Sequence, residues 1–159
     1  RDQPRSRGLG DVYKRQAENA AGVASGDYTS YSLRANLYWY TGKYDEAIKV
    51  CEEGLEASGG DSDIYRNEAI AYMLKGDYKK ANECGKAAYQ FSMNYGDLTL
   101  DILNTAALAA GLAKDDETYK SMQDYLKTYN YEVSSVVTDC LAGKKTVEQV
   151  FITDGGVIS

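Results

Sequence analysis

Histidine is missing from this chain, proline occurs once and cysteine three times. Each shortage removes a class of chemistry. Without histidine no Ser–His or Cys–His relay can form, and a zinc site loses its usual nitrogen ligand. Cys51, Cys84 and Cys140 are odd in number and lack paired ligand spacing, so neither a disulfide framework nor a metal site is expected. Cys51 and Cys84 share helix faces with Ala47 and Ala81, which suits small buried apolar residues. The single proline, Pro4, lies at the start and interrupts no helix downstream. There is no run of 18 apolar residues, so no segment is expected to enter a membrane. Positive charge is scarce as well, with 18 Lys and Arg against 24 Asp and Glu. Phosphate recognition needs clustered cations, which argues against a nucleic-acid partner.

What the chain does have is a repeat. Tyr31, Ala35, Tyr38, Gly42, Tyr44 and Ala47 recur 34 positions later as Tyr65, Ala69, Tyr72, Gly76, Tyr78 and Ala81. A fixed period of this length is the signature of one helix-turn-helix unit stacked on its copy. The residue types fit that geometry. Ala35 and Ala47 let two helices approach closely, where a larger side chain would hold them apart. Gly42 and Gly76 end the first helix of each unit in a left-handed turn. Asp27 and Asp61 stand where a short carboxylate caps a helix start. Ala47, Cys51 and Leu55 form one apolar stripe at i, i+4 and i+8 of the second helix.

These positions resemble the tetratricopeptide repeat, with its small residues, large aromatics, Gly and Tyr in the same order. The resemblance implies an all-α solenoid of stacked helix-turn-helix units in a right-handed superhelix. Its units are expected at residues 28–61, 62–97 and, in degenerate form, 98–131. In the third, Ala106 and Ala109 take the small positions at an offset of 37, and Ala113-Lys114-Asp115 replaces the Gly-x-Tyr turn. Helix pairs are expected near 28–41 with 44–58, 62–75 with 78–91, and 98–112 with 116–129. Two capping helices over 132–152 are expected to cover the apolar end of the stack, the second opened by the capping-box spacing of Thr146 and Gln149. Residues 153–159 are expected to fray.

The first 16 residues differ in kind. Back-translated, Gly8 to Gln16 resembles a transposase adapter used in sequencing libraries, so residues 1–16 are set apart from the fold as an artefact. Residues 17–26 then read as the tail of a truncated preceding repeat. Without residues 1–16 the charge balance is 13 basic against 22 acidic residues.

In the tetratricopeptide family the first helix of each unit lines a concave face. Carried over position by position, that face holds Thr29, Ser32, Asn36, Trp39 and Tyr40, then Asp63, Arg66, Ile70, Met73 and Leu74. Leu100, Leu103, Ala107 and Ala110 follow in the third unit. The resemblance implies a non-catalytic scaffold that receives a peptide or partner helix there, with Asn36, Trp39, Tyr40, Arg66, Ile70, Met73 and Leu74 as the binding residues. A carboxylate clamp of the kind some relatives use is not expected. Asn36 and Asn67 fill its two Asn places, but Ser32, Leu100 and Asn104 stand where cations are needed. The acidic pairs Asp45-Glu46, Glu52-Glu53 and Asp115-Asp116-Glu117 sit at helix starts or on polar faces, so they read as dipole complements and solvated surface, not catalytic carboxylates. No enzyme activity and no cofactor are expected. The rival reading is a regulatory or sensor segment of a larger bacterial protein that docks on its own missing domain. A cytoplasmic location is favoured, with an upstream signal peptide or lipid anchor as the alternative.

Overall fold

The computed structural model describes residues 28–158. The adapter-like stretch, residues 17–26, the cap at Asp27 and the side chain of Thr29 lie outside the described residues. Seven α-helices follow one another: α1 (Tyr28–Tyr40), α2 (Tyr44–Ser58), α3 (Ser62–Lys75), α4 (Tyr78–Tyr95), α5 (Leu100–Leu112), α6 (Asp116–Thr128) and α7 (Ser135–Leu141). A π-helical turn, Gln149–Thr153, completes the order, and the described residues contain no strand. The all-α class expected from the sequence is what the chain adopts.

Each helix from α1 to α5 packs on the next, and α1, α3 and α5 also touch in succession. Tight turns between packed neighbours make α1/α2, α3/α4 and α5/α6 antiparallel pairs. Close approach depends on small residues. Ala35, Ala47, Ala69 and Ala81 are fully buried. At Gly54 a Cβ would stand 2.8 Å from the Cβ of Tyr31, so only glycine lets α2 lie this close to α1.

The caps supply the groups that helix ends leave unpaired. Asp61 Oδ1 accepts from the Ile64 amide at 3.0 Å, and Thr99 Oγ1 from the Ile102 amide at 3.1 Å. At the far end of α1, Gly42 takes φ +86° and the Lys43 amide donates to Tyr38 O. Gly76 (φ +90°) and Asp77 repeat this onto Tyr72 O. In the third pair Lys114 takes the left-handed place at φ +62°, and Asp115 donates to Ala110 O.

These bonds correct the register of the third unit. Both its cap (Asp61 to Thr99) and its turn (Gly76 to Lys114) lie 38 positions beyond those of the second, not 37. Three of the four extra residues come from α4, which runs on to Tyr95 rather than stopping near residue 91, and the fourth from the loop after it. Ala107 and Ala110, not Ala106 and Ala109, therefore correspond to Ala69 and Tyr72. Leu108 falls where Ile70 stands. An alanine-rich run, Ala106 to Ala110 around Leu108, hides such a slip because every register puts a small residue at the contact.

Candidate functional site

The α1–α3–α5 face gathers several of the residues expected to bind a partner. Trp39, Ile70 and Met73 belong to one apolar cluster, with Leu108 from α5, and Tyr40 and Leu74 pack against its edge. The Trp39 ring meets that of Tyr40 edge-on at 6.3 Å and 62°. Its indole N–H donates to Asn67 Oδ1 at 2.9 Å, a buried bond between α1 and α3. Asn67 is held in turn: its Nδ2 donates to Ser32 Oγ at 2.8 Å and to Asp63 O at 3.0 Å. An amide bonded on both sides is fixed in orientation and has little capacity left for a ligand carboxylate. Asn36, one turn before Tyr40, is half-buried. Arg66 stands apart from the apolar cluster. Its Nε lies 2.8 Å from Asp101 Oδ1, linking α3 to α5.

This face is covered. Val150, Phe151 and Val157 from the C-terminal segment join the same cluster, all three almost wholly buried, and Ile152 packs on its rim. The Phe151 ring contacts Trp39 edge-on, with centroids 6.1 Å apart and planes at 73°. Trp39 is 4% exposed, Ile70 0% and Met73 1%. An open apolar groove is therefore not what the chain presents. The C-terminal pair, expected to cover the apolar end of the stack, reaches further: α7 packs on α5, and the turn beyond it returns to α1. The driving force is plain. Tryptophan, isoleucine and methionine on one face are costly in water, and Phe151 with two valines is the apolar surface within reach.

The covering segment is braced from within. Thr146 and Gln149 form a reciprocal capping box, the Thr146 amide donating to Gln149 Oε1 (2.8 Å) and the Gln149 amide to Thr146 Oγ1 (3.1 Å). That spacing was legible in the sequence. The Asp154 amide donates to Gln149 O and the Gly156 amide to Val150 O, which curls the chain so that Val157 returns to the cluster. Lys145 Nζ and Asp154 Oδ2 pair at 2.7 Å across the curl. The hydrogen bond to Asp154 holds the Lys145 ammonium above its ordinary range. Tyr44, at the start of α2, packs against the same cluster as Val147 and Ile152, and burial, then the nearby charge of Glu148, pushes its phenol up. Sequence reading singled out Val150, Phe151 and Ile152 as apolar residues behind a cap. It had no signal for their destination, because nothing local in a sequence says which distant face an aromatic will fill.

The titratable groups elsewhere are structural. Glu68 is buried and accepts from Cys84 Sγ at 3.1 Å. Cys84 is thus a polar partner, in contrast to the apolar role expected of it, while Cys51 is fully buried as expected. Burial first and the charge of Glu68 second push both thiols far above the ordinary range, the reverse of what a nucleophilic thiolate needs. Asp115 caps α6 and accepts from Asn82 Nδ2 (2.8 Å) and Thr118 Oγ1 (2.7 Å), bonds that hold its carboxyl well below the usual range. Among the described residues no group of His, Cys, Asp and Glu has the arrangement of a metal site. No described helix is long and apolar enough to cross a membrane. No protein-family model matches the chain, and no curated protein matches it.

Proposed function

We propose that this chain is a tetratricopeptide-type scaffold, a right-handed stack of helix-turn-helix units without catalytic activity. Its α1–α3–α5 face holds a short apolar helical segment of a partner protein. The observation that carries the reading is Phe151 seated edge-on against Trp39, above Ile70 and Met73. The face accommodates a helical turn bearing one aromatic between a valine and an isoleucine, which is the helix-in-groove mode of recognition. A partner turn of similar chemistry competes for the same place. Tyr40 and Leu74 pack against this floor and are partly exposed, as the rim of such a site should be.

A synthetic peptide spanning residues 146–158 tests the idea on the Phe151→Ala chain, with the Trp39 indole N–H followed by NMR. Saturable displacement of that signal is expected, and weaker displacement in the unaltered chain, whose own segment competes. A peptide with alanine in place of phenylalanine should fail. No displacement in a variant whose helical signal is intact would show that the face does not receive segments in trans.

A further inference from the structure

A second cleft opens away from this face, between the last turns of α4 and α6 and the first turn of α5. It encloses about 500 Å³. That size suits a small molecule and is too small for a partner helix. Its walls include Met93, Leu98, Leu103, Tyr125, Tyr129 and Tyr131, and no charged side chain. Tyr125 and Tyr129 set their rings 5.3 Å apart at 46°, and Tyr89 backs Tyr125 edge-on at 6.1 Å. Three of these wall residues are large, apolar and exposed: Met93 by 40%, Tyr129 by 59% and Tyr131 by 50%. Rings at an inclined angle, left in water beside a cleft, need a reason.

The surrounding charge says what kind of ligand fits. Asp97 and Asp101 lie in the same loop and first turn that supply Leu98 and Leu100 to the wall. Asp97 Oδ2 accepts from Ser62 Oγ at 3.3 Å, and Asp101 Oδ1 lies 2.8 Å from Arg66 Nε. The cleft is bordered by two helix C-termini, those of α4 and α6, whose dipole ends are negative, against one N-terminus, that of α5. Within residues 92–103 there is no cation. On α6, Lys120 pairs with Asp124, and Lys127 is exposed.

The hydrogen-bonding inventory narrows the class further. The polar side chains in the wall are hydroxyls alone, from Ser92, Thr99 and the tyrosines. A sugar or a primary amine would find too few strong acceptors there. A cation without N–H groups asks for none and is held by ring faces. Ser92 adds a separate sign: it is fully buried in the cleft wall, and its Oγ has no partner among the described residues. A protein seldom leaves such a group unpaired without use.

From the inclined tyrosine rings, the uncharged wall and the negative surroundings, we infer that this cleft binds a small quaternary ammonium compound through Tyr125, Tyr129 and Tyr131. The inference stands apart from the helix-binding face and does not depend on it. Choline is the probe, titrated while the tyrosine ring signals are followed by NMR, with sodium chloride as the ionic control. Its uncharged isostere 3,3-dimethylbutan-1-ol is titrated in parallel. Choline should give saturable shifts confined to the cleft tyrosines and bind at least about tenfold more tightly than the isostere. Tyr129→Leu with Tyr131→Leu should weaken choline by about tenfold or more, while Tyr129→Phe with Tyr131→Phe should keep most of the affinity. Both positions are exposed, so the variants retain the fold. Equal binding of choline and the isostere would make the cleft merely apolar and overturn the inference. So would the absence of saturable shifts with choline.

Discussion

Single atoms decide how closely these helices lie. Ala47 is fully buried between α2 and its partner, and Ala47→Leu should destabilise the chain by about 1–3 kcal/mol through overpacking, read from a urea melt. Gly54→Ala is a sharper case. Alanine is the better helix former by about 1 kcal/mol, yet its Cβ would meet the Tyr31 Cβ at 2.8 Å, where neither atom can swing aside. A net loss of about 1–2 kcal/mol is expected, and a gain in Tm would mean that α1 moves away freely. Glu68 gives a pH signature. Burial raises its carboxyl above the ordinary range, with Cys84 donating in the opposite sense and Glu52 adding to the rise. A carboxyl raised on folding holds its proton more tightly folded than unfolded, so stability is full below the ordinary carboxylate range and is lost as pH climbs from there through the raised folded value. Glu68→Gln should therefore flatten the decline in Tm that sets in above the ordinary carboxylate range at about pH 4, with its largest benefit once Glu68 is ionised in both states.

Turns and caps were the most legible elements, because their chemistry is local. Gly42, Gly76 and Asp61 announce a left-handed stop and a capped start, and the chain uses them that way. Lys114 performs the same stop without glycine, and for that reason the third unit was read one position out of register. An L-residue in this conformation costs about 1 kcal/mol that glycine does not. Lys114→Gly should raise stability by about that amount, whereas Gly76→Ala should lower it by a similar one, both measurable by thermal denaturation. The helices themselves were found from period and composition. The candidate site was legible only in part. Trp39, Ile70 and Met73 were grouped correctly on one face, but their cover was not, since Phe151 and Trp39 meet through tertiary packing that no window of sequence contains. The tyrosine cleft was hidden for the same reason: its rings come from α6 and the turn after it, its floor from α4 and α5.

At the scale of the molecule, the C-terminal segment ties the last described element to the first. Phe151 is 3% exposed, and Phe151→Ala should cost about 3 kcal/mol or more by emptying its site beside Trp39. Intrinsic fluorescence of the chain's one tryptophan should report the change, with a red shift as water reaches the ring. A stack in which every unit touches only its neighbours melts from its ends, one unit at a time. Here the first and last described elements are clasped together, so neither is free to melt alone. Denaturation should accordingly be a single transition, and amide exchange in α1 should be as slow as in α5 rather than grading outward. The clasp also sets a timetable. Trp39 is made long before Phe151, so during synthesis the indole waits without its cover while the rest of the chain is added, and the whole becomes cooperative at the moment that the later ring arrives.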